Sequence, residues 1–246
     1  MHRTNMDQTL VLIKPDALKN SLTGYVLSQL SEFHTGLRFA GAKIVNVSKM
    51  LAEEHYAEHL GKVFFPSLIE YITGASHYPD QPWKRRVIAL VYQGENAPKR
   101  IRELAGPTNP HAAREEKPGS IRSLGTLVDI KDASGKVIGQ RIDNLIHASA
   151  TLEEAEREIK LWFKPCDIPP LMRPYQTEIC HEHYYYKDGT ILHQNYEPGS
   201  VCLMAPGDTV WASDMEALKL HTQGKPTATT IGSVAAKYLI NQDSAE

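Results

Sequence analysis

Four short apolar runs of β-type sequence, spaced by helix-patterned segments, limit the possible folds of this chain more than any other feature. Gln8–Ile13 (QTLVLI) is largely apolar and stops at Lys14-Pro15-Asp16, as a buried strand ending in a turn would. Residues 22–33 carry apolar side chains at helical spacing, with Thr23 as the expected N-cap. Residues 39–47 alternate and are rich in β formers, which predicts a second strand. Residues 52–60 and 67–72 read as short helices, and residues 86–92 (RVIALVY) as a third, central strand. Residues 97–104 form a helix pattern with a basic face, closed by Gly106-Pro107. Leu145 and Ile146 belong to a short fourth strand, and residues 151–163 open a helix whose first turn is acidic, where the helix dipole favours negative charge. The order predicts an α+β chain: a ferredoxin-like (split βαβ) antiparallel sheet with helices on one face.

Two segments depart from that plan. Residues 127–141 hold two β-rich runs, LVDIK and KVIGQ, around Asp132-Ala133-Ser134-Gly135, which predicts an added hairpin. Residues 165–174 contain four prolines and read as a connector out of the first unit. Beyond it, residues 184–192 give a strand–turn–strand signal with Asp188-Gly189 at the turn. A further strand is expected at 200–205, and weak helices at 215–220 and 231–239. An appendage below roughly 70–80 residues has a marginal core of its own, so this small α/β unit is expected to lean on the first unit or on a neighbouring subunit.

Hydrophobic residues at 41% suffice for a core, and a net charge of −2 argues against general adhesion to nucleic acid or membranes. Cys166, Cys180 and Cys202 lack a C-x-x-C spacing and do not resemble a disulfide framework. Cys180, His181, His183 and His193 likewise fit no zinc pattern. The opening MHRTNMDQ has no apolar core of a signal peptide, and no stretch reaches 18 apolar residues, so a reducing cytoplasm is expected.

His147 is the strongest candidate for chemistry. Lys14 follows an apolar strand, and Arg102, Thr108 and Arg122 lie in segments rich in turn residues; these are the groups needed to hold a polyphosphate before a nitrogen nucleophile. No G-x-x-x-x-G-K-[ST] loop is present, so side chains must do the phosphate binding. The segments IKPDALKNSLTG, EEHYAEHLGKVFF, RIRELAGPTNP, KPGSIR, NLIHASAT and EEAEREIKLWF occur in the order of the motifs of nucleoside diphosphate kinases, and residues 8–168 resemble that family. The resemblance implies His147 as the nucleophile that takes the γ-phosphate, with Glu158 on its other ring nitrogen and Ser149 supporting the pair. It implies Lys14, Arg102 and Arg122 on the phosphates, Tyr56 beside the histidine and Thr108 donating its hydroxyl to a phosphate. Asn144 would bond the sugar 3′-hydroxyl, and Phe64, or its neighbour Phe65, would stack on the base with little preference among bases. Mg²⁺ would ride on the nucleotide phosphates with no protein metal ligand.

The same resemblance divides the chain into a catalytic domain, 1–168, with inserts near 76–85, 111–116 and 124–142, and an extension, 169–246. It implies a homo-oligomer acting on nucleoside triphosphates and diphosphates, with neither nucleic acid nor membrane as partner. Ala148 and Ala150 stand where the family has the Gly and Asp of H-G-S-D, which matters if the backbone beside the nucleophile needs φ > 0. A second expectation from the sequence is a catalytically weak nucleotide-binding or scaffold protein whose extension carries the function.

Overall fold

The computed structural model describes residues 6–131 and 133–241; Asp132 of the expected hairpin turn lies outside them. The first half runs β1 (Gln8–Ile13), α1 (Pro15–Lys19), α2 (Thr23–Gln29), α3 (Glu32–Thr35), β2 (Arg38–Val45), α4 (Lys49–His55), α5 (Phe65–Ile72), β3 (Val87–Gln93) and α6 (Ala97–Ala105). It continues with α7 (Pro110–Glu116), β4 (Thr126–Lys131), β5 (Val137–Asp143), β6 (Ile146–Ala148) and α8 (Leu152–Trp162). The main sheet has the order β2-β3-β1-β6 with every pair antiparallel, the ferredoxin-like arrangement. Among the described residues β4 and β5 pair only with each other, as the added hairpin.

Helices cover both faces of the sheet, not one. Leu10 and Leu12 of β1, with Val87, Ala89 and Val91 of β3, pack under Leu51, Ile72, Ile159 and Trp162 of α4, α5 and α8. Their alternate neighbours Val11, Ile13, Leu90 and Tyr92 pack under Val26 of α2 and Ile101 of α6. Two-sided burial is why β1 reads as an apolar run and not as an alternation.

Several local boundaries differ from the sequence reading, each for an identifiable reason. Residues 22–33 are not one helix: the chain breaks at Leu30-Ser31, and Ser31 recaps α3 by accepting the His34 N–H. Thr23 lies inside α2, behind a Leu22 cap that offers no side-chain bond. The helix expected at 52–60 starts at Lys49, because the Ser48 hydroxyl accepts the Leu51 N–H, and stops at His55 before a 3₁₀ turn over Ala57–His59. The 111–116 addition is helix α7, with Asn109 accepting the His111 N–H and Pro110 in the first turn. The fourth strand begins at Ile146 and includes His147; Leu145 stays outside it because its φ is +69°.

After α8 come β7 (Thr177–Ile179), β8 (Tyr184–Lys187), β9 (Thr190–His193), β10 (Val201–Met204), β11 (Thr209–Trp211), α9 (Ala212–Thr222) and α10 (Ile231–Ala235). β8 and β9 turn through Asp188 and Gly189, both at positive φ, as a tight hairpin requires. β10 joins β8, and β7 pairs with β11; neither strand of that last pair was visible in the sequence pattern. A core of its own gathers Tyr184, Leu203, Met204, Val210, Leu218 and Val234. A buried ion pair, Lys237 Nζ to Asp214 at 2.9 Å, ties α9 to the last turn. The segment also leans on the sheet domain. Trp211 and Ala236 belong to the core under α8, and the Trp211 indole N–H donates to the Phe163 carbonyl at 2.7 Å.

Candidate active site

β6 carries His147 opposite Leu12 of β1, so the nucleophile candidate rests on the most buried strand of the sheet. α8, capped by the Thr151 hydroxyl on the Glu154 N–H, presents Glu158 to it. Glu158 Oε2 accepts from His147 Nε2–H at 2.9 Å and from the Ser149 hydroxyl at 2.6 Å. Arg157 lies 3.7 Å from Oε1. Burial raises the pKa of this group, while the two hydrogen bonds on Oε2 and the Arg157 charge near Oε1 favour its carboxylate form. Burial drives the His147 ring the other way, down to about 3, so it is neutral with its proton on Nε2. Nδ1 is then the nitrogen with a free electron pair.

His55 completes the group, and sequence reasoning missed it. It is buried, with its ring edge-to-face on His147 at 4.6 Å between centroids. The Trp162 indole, a donor only, bonds His55 Nδ1 at 3.2 Å, so that nitrogen is an acceptor and the ring is neutral. Its approach to Glu158 Oε1 at 3.5 Å is therefore a packing contact and not an ion pair, in keeping with a pKa lowered by burial to about 3. The one signal in the sequence was its place beside Tyr56 in E-E-H-Y. Among the described residues His55, His147 and Glu158 form the one cluster of metal-ligand type, within 4.8 Å, but hydrogen bonds to one another or to Trp162 already explain their closeness. Cys180 and His193 turn instead to Glu182, and His183 stacks on Tyr185.

A cavity of about 470 Å³ opens in front of His147, lined by Lys14, Tyr56, Phe64, Arg102, Thr108, Arg122 and Asn144 among others. All the sequence-derived candidates meet there except Ser149, which is fully buried behind Glu158 and acts through it. Larger hollows elsewhere on the surface do not contain the histidine.

Lys14 follows β1 directly; its ammonium bonds the Asn144 side-chain oxygen and sits 4.5 Å over the Tyr71 ring. Burial lowers its pKa to about 8. Asn144 donates in turn to the Thr108 carbonyl at 2.8 Å. Arg122, in a 3₁₀ turn over Ile121–Leu124, donates to the Gly106 and Ile146 carbonyls, and burial brings it down to about 10. Gly106 has φ +79°, and a Cβ there would overlap the Ser120 side chain, so the turn needs glycine. Arg102 reaches the Ala148 carbonyl at 3.3 Å. Among the described residues, none of these three cations is in an ion pair with a carboxylate. A cavity walled by two buried cations, Lys14 and Arg122, and the more exposed Arg102, none paired with a carboxylate, is built for a polyanion.

Phe64 is 51% exposed at the cavity mouth while Phe65 is buried, which separates the two neighbours. Burial and the Glu158 charge raise the Tyr56 pKa, so its phenol stays a neutral donor. Ala148 lies in β6 paired with Val11 and has no positive φ, so the missing glycine leaves the strand unstrained. Leu145 is the residue at positive φ here. Its N–H is held by Asp16 at 2.9 Å and its carbonyl by the Lys14 N–H at 2.9 Å, which lock the unusual turn.

The low pKa of the two histidines has a testable sign. Each ring is near 6.5 when unfolded and about 3 when folded, so the folded chain binds fewer protons below 6.5. Their contribution to stability is complete above about pH 6.5 and is lost as pH falls toward 3. Melting temperature should drop between about pH 7.5 and pH 5, while the phosphorylation rate of intact protein shows no histidine titration near pH 6.5. A rate that halves at pH 6.5 would contradict the neutral, buried ring.

Residues 7–168 match the family model of nucleoside diphosphate kinase. The nucleoside diphosphate kinase of Pyrococcus furiosus is 40% identical over 163 residues, covering 66% of this chain and 86% of that protein. That of Staphylococcus haemolyticus is 39% identical over 172 residues, covering 70% and 97%. Among solved structures, the Aquifex aeolicus nucleoside diphosphate kinase matches with a TM-score of 0.53 at 30% identity, over 67% of this chain and 99% of that one. A nucleoside-diphosphate kinase from Borrelia burgdorferi, solved as a transition state mimic with bound vanadate and ADP, matches with a TM-score of 0.52 at 30% identity, over 67% and 90%.

Proposed function

This chain belongs to the nucleoside diphosphate kinase family and moves the γ-phosphate of a nucleoside triphosphate to a nucleoside diphosphate; from that premise we propose that transfer runs by a ping-pong route through Nδ1 of His147. The observation that carries this reading is the bond from His147 Nε2 to the buried Glu158 carboxylate, on a ring that lines a cation-walled cavity.

In the first half-reaction the Nδ1 electron pair forms a bond to the γ-phosphorus, the bridging P–O bond breaks, and the nucleoside diphosphate leaves with the electron pair of that P–O bond. Glu158 balances the charge that develops on the ring and holds the tautomer, with Ser149 fixing the carboxylate. Lys14, Arg102 and Arg122 bind the phosphates and meet the charge that builds on their oxygens, the main protein contribution to phosphoryl transfer. Thr108 and Tyr56 supply neutral donors, Asn144 and Lys14 take the sugar 3′-hydroxyl, and Phe64 stacks on the base. In the second half-reaction a terminal oxygen of another nucleoside diphosphate attacks the phosphorus, the N–P bond breaks, and the ring recovers its electron pair.

Mg²⁺ fits this cavity as a passenger on the nucleotide, since the phosphate wall is cationic and the Glu158 carboxylate is committed to Ser149 and His147. When bound it would neutralise charge on the β- and γ-phosphates.

The division into a catalytic domain, 1–168, and an extension, 169–246, follows the end of the family match. A homo-oligomer is supported by β2, an edge strand with Phe39 and Ile44 exposed. A cytoplasmic setting is supported by three unpaired cysteines, and among the described residues no helix is long and apolar enough to cross a membrane.

Incubation with γ-labelled ATP and Mg²⁺ should give an acid-labile, alkali-stable label on the protein that GDP removes as GTP. Nucleotide binding without label would favour the binding-protein reading instead.

A further inference from the structure

Two of the three inserts that the family resemblance implies, residues 76–85 and the β4–β5 hairpin, meet at one residue, Asp143. From the β4–β5 hairpin, Arg141 donates Nε to Asp143 Oδ1 at 2.6 Å and Nη2 to Oδ2 at 3.1 Å. From residues 76–85, His77 shares Asp143 Oδ2 through Nε2 at 2.8 Å. Asp143 is 6% exposed, so this fork is held in a dry place. The guanidinium carbon lies 6.0 Å from the Tyr71 ring centre, and His77 packs on the same ring at 5.2 Å. Arg141 is thus fixed by one edge, and what it can still offer the cavity it lines with Phe64 is its flat face and its remaining N–H groups.

Its position along the chain says what that face would meet. Arg141, Asn144 and His147 follow one another at three-residue steps, and these three polar residues line one cavity together with Ile142 and Ile146. On the reading given above, His147 meets the phosphoryl group and Asn144 the sugar, which leaves the base for Arg141 and Phe64. A guanidinium plane stacks on any base, and the larger ring system of a purine gains more from the overlap.

We propose that Arg141, presented by the added hairpin and pinned by Asp143 and His77, is a specificity-determining residue of the nucleotide site that stacks on the base and favours purine nucleoside diphosphates. This rests on the nucleoside diphosphate kinase reading of the cavity. Arg141 is the contact to the nucleotide, and His77 is a positioning residue that acts through Asp143.

The test compares GDP and CDP as phosphate acceptors for the full chain. Arg141→Ala should raise KM by about tenfold for GDP and about threefold for CDP, with a smaller change in kcat. Arg141→Lys keeps the charge but loses the plane, so it should resemble the alanine variant and not the wild type. His77→Ala should shift KM in the same direction by less. Equal changes for GDP and CDP, KM values that stay at wild type, or full rescue by lysine would each overturn the proposal. Labelling of wild-type His147 by γ-labelled ATP is read separately: its absence would sink the kinase reading, whereas unmoved KM values with labelling intact would sink only the role of Arg141.

Discussion

His147→Ala is expected to lower turnover by roughly four orders of magnitude or more, with nucleotide binding largely retained. The reason is that Glu158 holds this ring with its Nδ1 pair free, whereas the neighbouring His55 spends its Nδ1 pair on the Trp162 indole. Lys14, Arg102 and Arg122 carry no free electron pair, and Tyr56 keeps its proton because burial and Glu158 raise its pKa. The cations and Phe64 remain in place in the variant, so the affinity for a nucleoside diphosphate should change only a few-fold while labelling from γ-labelled ATP disappears. Binding by calorimetry beside stopped-flow turnover separates the two effects. Retention of even a few per cent of wild-type turnover would mean that another residue accepts the phosphate.

Arg122→Ala is expected to cost about 100- to 1,000-fold in kcat/KM, the range seen when one preorganised donor to developing charge is removed. Arg122 is 4% exposed, and its bonds to the Gly106 and Ile146 carbonyls fix the guanidinium before any ligand arrives. Burial, and Arg102 nearby, lower its basicity, so this charge is held at some cost. A bound polyphosphate offsets that cost. Nucleotide should therefore raise the melting temperature of the wild type more than that of the variant. Lysine should recover little, because a point charge cannot serve both carbonyls and a phosphate in the same fork. If Arg122→Lys regains most of the activity, charge alone matters and the preorganised geometry does not.

The fold was legible where the pattern is local and long. β1 and β3 announce themselves as apolar runs, and α8 by its acidic first turn under Thr151. The site was legible because its residues sit in six ordered motifs, and all but the buried Ser149 line the cavity. What escaped is long-range or short. His55 works through Trp162, 107 residues away, and no local pattern encodes that bond. β7 and β11 are three residues each, too short for alternation to show. Helix α7 was hidden because its length was read as a loop insertion, whereas Asn109-Pro110 is a helix start.

Leu145 has a further consequence. Along an extended chain, residues three apart point to opposite sides. Asn144 and His147 are three apart, yet both line the same cavity. The single left-handed residue between them shifts the alternation by one and restores a common parity. One residue more or fewer between 144 and 147 would undo that and part the sugar contact from the nucleophile. Upstream of Asn144 the β4–β5 hairpin runs into the same cavity, which Arg141 and Ile142 line as well. In this part of the fold, one left-handed residue sets the register between the sugar contact and the nucleophile.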